Sequence, residues 1–457
     1  MTAPPRDGSL AGLFVDLYEL TMAQAYLHEG RHAEPAVFDL FFRTLPDQRH
    51  FLVAAGLARL LEDLEALRFS AEDVAYLESL GRFAPDFLNW LRGWQFTGNI
   101  RALPEGTVCF ANEPLIEVSA PLGEAQLIET LAINRLHYST LVAAKGARVV
   151  AAAGGRSVVD FGARRAHGTD AALEAARALY LVGFDATSNL EAGRRYGIPV
   201  AGTMAHSYVQ AHASDLEAFR TFVAEFPETT LLVDTYDTAD GIAAVIALAQ
   251  EFEARNERLP VRALRIDSGD LAAAARDARA RLDAAGLEAI ELLASGGLDE
   301  WDVRALVERG APYDGFGVGT RVITSGDAPT GDAVYKLVAL NGRGLLKLST
   351  GKATLPGTKQ VYRQLNPDTT IDRDVLTTAD DRSTIGSPLL IEVMRDGQRV
   401  PEAAAAVDLE ASRARAATEL GRLPDPQRAL DPTPPLSVVV SEALQAERDL
   451  VAARVGS

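Results

Sequence analysis

Apolar positions along the chain change rhythm near residue 157. Before it the pattern is mixed. Phe14 to His28 and Phe51 to Phe69 repeat apolar side chains at helical spacing, Glu72 to Leu91 reads as two shorter helices, and Ala125 to Ala152 as one long helix. Between them, Ala36 to Leu45 (AVFDLFFRTL) is an aromatic-rich strand, and Ile100 to Ala120 breaks into short strands punctuated by proline and glycine. From Ser157 onward, seven short apolar runs are each followed by a stretch of helical composition. They are SVVDFG (157–162), VGFDATS (182–188), PVAGTM (199–204), TTLLVDTY (229–236), VRALRID (261–267), AIELLASG (289–296) and YDGFGVGT (313–320). Near-continuous apolar strands alternating with helices imply a parallel sheet covered by helices, an α/β fold. Seven units ending in polar or glycine-rich corners favour a barrel over an open doubly wound sheet. After Thr320 the rhythm stops. VYKLVAL and GLLKLST read as hairpin strands around an NGRG turn, residues 366–383 as polar turns, and Pro401 to Leu420 as an alanine-rich helix before a last strand and helix.

Composition then narrows the classes of function. The chain has 457 residues, 47% hydrophobic and 24% charged, the balance of a globular protein with a sizeable core. Acidic residues number 63 against 45 basic ones, a net charge of −18, which disfavours sequence-independent nucleic-acid binding. A local basic pocket for a phosphorylated small molecule stays compatible with that total. Cys109 stands alone, so neither an intrachain disulfide nor a cysteine-based zinc site is available. No run of ~18 uncharged apolar residues occurs, and Met1 to Gly12 has no apolar segment before a cleavage site. The expected setting is the cytoplasm, with no membrane attachment.

Polar and glycine residues gather at the C-terminal ends of the seven runs, the face on which parallel barrels carry their active sites. Gly296 and Gly297 follow the sixth run, and Gly319 and Thr320 close the seventh. Glycines there let backbone N–H groups approach an anion, although each pair would also serve to turn a corner. Arg265 and Asp267 lie two apart on one strand and share a face, suiting a site that handles both signs of charge. Ser268 or Asp270 is placed to cap the next helix. Asp234 and Asp237 add carboxylates for a hard cation. Arg164, Arg165 and His167 follow the first run, where arginine suits carboxylate or phosphate. His206 follows a Gly-Thr corner, with Thr203 three residues ahead, and reads as a general base, a metal ligand, a phosphoryl-accepting nucleophile or a buried structural histidine. No second histidine or cysteine stands at zinc spacing, and neither a P-loop nor a GxGxxG turn after a strand is present.

Assembled, these segments resemble the nicotinate phosphoribosyltransferase family. The matching stretches are DLYELTMAQAY (16–26), VVDFGARRAHG (158–168), GFDATSNLEAG (183–193), GTMAHSYVQ (202–210), RIDSGDL (265–271), ASGGLDE (294–300), GFGVGTRVITS (315–325) and VYKLV (334–338). The resemblance implies an irregular seven-unit α/β barrel of the type II phosphoribosyltransferase kind, with an N-terminal α+β domain and a C-terminal extension. The expected domains are residues 1–140, 141–335 and 336–457, the last packing on the first. The implied reaction joins nicotinate to phosphoribosyl pyrophosphate, giving nicotinate mononucleotide and pyrophosphate. It is coupled to ATP hydrolysis with Mg²⁺, places the enzyme among the ligases, and is the first step of NAD salvage from nicotinate. By the same resemblance His206 is the histidine that ATP phosphorylates, Tyr18, Thr203 and Arg265 contact nicotinate, Thr320 contacts the phosphoribosyl group, and Arg165, Gly296 and Gly297 lie in substrate loops. Tyr18 or Phe161 would stack on the pyridine ring, and Asp234 or Asp267 would face positive charge on the sugar. Mg²⁺ would be held through substrate and one of Asp234, Asp237 and Asp267. A homodimer is expected, with the active site at the subunit interface and the DLYELTM segment supplied by the partner; zinc is not. The rival readings are a nicotinamide or quinolinate phosphoribosyltransferase, a non-catalytic sensor, and a barrel aldolase, which would want a lysine at a strand end.

Overall fold

The computed structural model describes residues 12–347, 354–381 and 384–455. The N-terminal reading over 1–11 and the end of the second hairpin strand, 348–350, lie outside the described residues. The chain divides into two compact units. One is Lys145–Pro329; the other combines the described residues up to Ala144 and from Thr330 onward.

In Lys145–Pro329, six strands build one sheet: β1 (Ser157–Asp160), β2 (Ala186–Thr187), β3 (Thr229–Leu232), β4 (Val261–Ile266), β5 (Glu291–Ala294) and β6 (Gly315–Val318). Their order is β2-β1-β6-β5-β4-β3, and every neighbouring pair is parallel. Leu231, Leu264, Leu292, Phe316 and Val318 are buried, as strands covered by helices require. The helices Thr238–Glu253, Leu271–Ala284 and Glu300–Glu308 follow β3, β4 and β5. Asp237, Asp270 and Asp299 cap them, each side chain accepting two backbone N–H groups that the first turn leaves unpaired. In Leu271–Ala284 the buried positions Ala272, Ala275, Ala278 and Leu282 form a thin stripe that lets helix and sheet approach closely.

This is an open half-barrel rather than the seven-unit barrel expected. The run 199–204 forms no strand; it touches the sheet through one isolated bridge between Thr187 and Val200. Pro199 opens the run without an N–H, and Val200 is 53% exposed. The two bonds that flank the bridge, Thr187 N–H to the Pro199 carbonyl and Ala201 N–H to the Thr187 carbonyl, therefore do not grow into a buried central strand.

A cluster of charges, all but Asp327 buried, lies beyond the ends of β5 and β6. Lys145 Nζ is 2.6 Å from Glu300 Oε2 and 2.9 Å from Asp327 Oδ1, and Arg148 Nη2 is 3.2 Å from Glu300 Oε1. Lys145 and Arg148, three apart on the helix Glu129–Ala153, both face the two carboxylates. Glu300, fully buried, heads the helix that follows Gly296 and Gly297, and Asp327 follows the helix Thr320–Ile323.

The other unit holds a seven-stranded sheet in which Pro35–Phe42 pairs antiparallel with both Pro114–Pro121 and Ala333–Leu340. The second hairpin strand is only Arg343–Gly344. Residues 366–383, read as turns, instead contain the strand Ile371–Thr378, paired with Lys359–Leu365. The polar run builds a strand because Arg363 donates to both oxygens of buried Asp374, cancelling the charge that made the segment look exposed. Helices at Leu17–His28, Leu57–Ala66, Ala71–Ser79, Pro85–Arg92 and Glu442–Val455 fall in segments read as helical. The single helix expected over 401–420 is instead split into Pro401–Val407 and Leu409–Gly421 at Asp408, whose non-helical backbone and side chain cap the second half. Among the described residues, no helix is long and apolar enough to cross a membrane.

Replacing Glu300 by alanine strands two buried cations and should lower stability by about 3–5 kcal/mol, read as a fall in the urea midpoint. A loss below about 1 kcal/mol would show that Asp327 alone neutralises Lys145 and Arg148.

Candidate active site

The C-terminal ends of five of the six strands, all but β3, open into a cleft of about 910 Å³. Phe161, Arg165, Thr203, His206, Arg265, Asp267, Gly296, Gly297, Gly319 and Thr320 all line it. Ten of the residues singled out from the sequence therefore meet in one place. Asp234 lies buried behind the lining, Asp237 serves as a helix cap, and Tyr18 belongs to the other compact unit. Arg164, Ser295 and Gly317 also line the cleft.

One wall is cationic and aromatic. Arg265 leaves β4 pointing into the cleft, where Nη1 donates to Thr203 Oγ1 at 2.6 Å. Thr203 Oγ1 in turn donates to the carbonyl of Met204. The guanidinium stands 5.8 Å from the centre of the Phe161 ring. Nη2 is 3.6 Å from Asp267 Oδ1, and Nε is buried without a hydrogen-bond partner. Burial pulls the Arg265 pKa below its ordinary value, the Asp267 and Asp234 carboxylates oppose the fall, and the charge of Arg164 adds to it. Arginine's starting value is so high that the side chain stays a cation. Nη1 is thus committed to threonine, and the edge formed by Nε and Nη2 has no hydrogen-bond acceptor among the described residues.

A chain of carboxylates backs this wall. Asp234 Oδ2 accepts the Asp267 N–H at 2.9 Å and the Ser268 hydroxyl at 2.7 Å, which fixes the turn after β4. Asp267 Oδ1 accepts the Ser295 hydroxyl, and Oδ2 lies 4.0 Å from His206 Nε2. His206 Nδ1 meets Thr235 Oγ1 at 3.2 Å, and the ring is 40% exposed to the cleft. The imidazole is therefore oriented but accessible, unlike a structural core histidine. Asp160, at the end of β1, accepts the Gly162 N–H and the Thr187 hydroxyl, each at 2.7 Å. Burial raises its pKa, with those two bonds opposing the rise. Asp160 shapes the loop carrying Phe161, Arg164 and Arg165.

The opposite wall is backbone. Gly296 has φ +105°, and a Cβ there would stand 2.0 Å from the Asp267 carbonyl oxygen, so only glycine lets the loops after β4 and β5 touch. The N–H groups of Gly296, Gly297 and Thr320 donate to nothing among the described residues. Free amides on two adjacent loops make a concavity for an anion. Arg164 and Arg165 stand exposed beside it, with no carboxylate partner among the described residues. Arg321 ties the two loops from outside, 3.1 Å from Asp299 and 2.8 Å from Asp302.

Among the described residues, no three His, Cys, Asp or Glu side chains are grouped to hold a metal. One cleft carboxylate, Asp267, backed by Asp234 with Oδ1 unpartnered, fits a hydrated Mg²⁺ that arrives with a polyphosphate, not a caged ion.

An α/β half-barrel with an amide cradle and a guanidinium-aromatic wall at its strand ends is the site of an enzyme for small anionic molecules. Two family models match it: the nicotinate phosphoribosyltransferase N-terminal domain over residues 13–137 and the nicotinate phosphoribosyltransferase family over residues 156–375. The Mycobacterium tuberculosis nicotinate phosphoribosyltransferase pncB2 is 50% identical over 424 residues, 93% of this chain and 90% of that protein. The Bacillus subtilis nicotinate phosphoribosyltransferase is 44% identical over 368 residues, 79% of this chain and 74% of its own. The crystal structure of human nicotinic acid phosphoribosyltransferase matches with a TM-score of 0.85 at 31% identity, covering 96% of this chain and 100% of that one. The chain belongs to the nicotinate phosphoribosyltransferase family.

Gly296→Ala should weaken binding of inorganic pyrophosphate by about tenfold or more in calorimetry, because it parts the two cradle loops. Unchanged affinity would place the anion elsewhere.

Proposed function

We propose that the protein transfers the phosphoribosyl group of phosphoribosyl pyrophosphate to nicotinate, forming nicotinate mononucleotide and pyrophosphate in the first step of cytoplasmic NAD salvage from nicotinate. The observation that carries this reading is the Arg265 edge, free of hydrogen-bond acceptors, beside the Phe161 ring in the same cleft as the amide cradle. A pyridine carboxylate needs that combination: a planar fork for the carboxylate and an aromatic face for the ring.

The residues then divide the work. Arg265 and Thr203 hold the nicotinate carboxylate, and Phe161 supports the ring. Gly296, Gly297, Gly319, Thr320 and Arg165 receive the phosphates. The pyridine nitrogen donates its lone pair to C1′ of the ribose, and the bond from C1′ to pyrophosphate breaks with its electrons leaving on pyrophosphate. No base is required. Asp267 and Asp234 face the positive charge that develops on the sugar. Mg²⁺ held between pyrophosphate and Asp267 would supply neutralising charge on the leaving group.

His206 belongs to the ATP coupling. The lone pair of one ring nitrogen forms a bond to the γ-phosphorus of ATP as the bond to the β,γ-bridging oxygen breaks and ADP leaves. Water later hydrolyses the phosphohistidine to inorganic phosphate, which makes the protein an ATP-dependent ligase of the type II phosphoribosyltransferase class. The proposed assembly is a homodimer completed across the interface, with Tyr18 reaching the partner's cleft. Phe14, Leu17 and Tyr18, exposed by 40%, 44% and 45% at the start of one helix, support such an interface.

Purified protein supplied with nicotinate and phosphoribosyl pyrophosphate should release pyrophosphate, faster with ATP and Mg²⁺. Turnover of nicotinamide but not nicotinate would refute the assignment. Arg265→Lys should raise the KM for nicotinate by about tenfold or more while leaving that for phosphoribosyl pyrophosphate nearly unchanged, since lysine offers no fork.

With γ-labelled ATP, acid-labile label is expected on His206 and absent from His206→Ala, which keeps slow, ATP-insensitive transfer. Label on any other residue would remove His206 from the coupling.

A further inference from the structure

We propose that Gly317 is a positioning residue for the base: the bare backbone of β6 seats the Phe161 ring at the depth that lets a substrate ring stack on it. This deepens, and rests on, the reading of Phe161 as the surface that supports nicotinate.

Gly317 lies inside a strand, paired in register with Val159, and its φ lies outside the left-handed region. Its backbone conformation is therefore open to any residue, and a strand-interior glycine costs stability for no conformational reason. The reason is space. A Cβ at this position would stand 2.4 Å from Phe161 Cε2 and 2.5 Å from Cδ2, with Ser295 Cβ at 3.4 Å. The Phe161 backbone is tied to the same strand, its N–H donating to the Val318 carbonyl at 2.7 Å. Its own backbone also leans on Gly319, where a Cβ would stand 3.2 Å from the Phe161 carbonyl oxygen.

Gly315 and Gly317 share one face of β6, Gly319 follows just beyond the strand, and the Phe161 ring lies on Gly317. The far side of the ring looks toward Arg265. A methyl group at 317 leaves the ring one way to go, away from the strand and into the cleft, by about 1 Å to restore ordinary carbon contact. That lifts the floor of the slot and disturbs the stacking distance without touching the amide cradle.

Gly317→Ala should raise the KM for nicotinate by about tenfold, with kcat and the KM for phosphoribosyl pyrophosphate within about twofold. Phe161→Ala should also raise the nicotinate KM, and adding Gly317→Ala to it should change that KM by less than about twofold, because no ring remains to displace. Equal effects of the methyl group with and without the ring, or an unchanged KM in Gly317→Ala, would overturn the proposal while leaving the stacking role of Phe161 intact. If Phe161→Ala itself leaves the nicotinate KM unchanged, the stacking reading falls, and this one with it. Should Gly317→Ala fail to fold, the double variant decides alone: its nicotinate KM must match that of Phe161→Ala.

Discussion

Three buried charges, with a fourth at the edge of solvent, set the terms for the catalytic face. Lys145 and Arg148 project from one helix onto Glu300 and Asp327, which anchor the segments following the two glycine loops. Such a set is costly to bury and of modest net worth, since each ion surrenders its hydration. Its value is geometric. Two cations against two anions are satisfied only when both loop segments sit in one arrangement, so amides that lack any partner of their own are held where an anion can use them. Arg321, reaching Asp299 and Asp302, repeats the tie at the surface, where solvent weakens it.

Net charge gives a poor picture of this cleft. A chain at −18 would repel anionic substrates if its charge were smeared evenly. Instead many of its arginines are paired on the outside, as Arg194 is with Glu191, Arg220 with Glu251 and Arg279 with Asp283. Among the described residues Arg164 and Arg165 have no such partner, and Arg265 meets a threonine hydroxyl and a carboxylate beyond hydrogen-bond reach. Positive field is thereby concentrated at the mouth, where low-dielectric walls make it felt.

Much of the face could be read from the chain because its determinants are local. An apolar run ending in Arg-x-Asp or Gly-Gly carries both the strand and the chemistry at its end, and six of the seven runs contain strands. The run 199–204 misled because Pro199 and exposed Val200 mimic a strand in hydropathy without extending one bridge into a ladder. The strand Ile371–Thr378 was hidden for the opposite reason: its polar residues find partners distant in sequence, above all Arg363 for Asp374. Asp234 stood out as a carboxylate, yet its part in bracing the turn at Asp267 and Ser268 depends on a crossing between β3 and β4 that spacing does not reveal. Within the run 313–320 nothing in the sequence sets Gly317 apart from the glycines on either side. Only the ring lying on it does so.

The segment that fails to become a strand has a consequence for how the fold tolerates change. A paired strand transmits an insertion along its whole length, because a one-residue slip turns every side chain to the opposite face. Residues 199–204 are tied by one bridge at Val200 and one side-chain bond at Thr203. Lengthening or shortening the chain between those two points shifts the register of none of the six strands. The half-barrel thus has, beside its most demanding chemistry, a stretch whose length can drift without a frame error in the sheet.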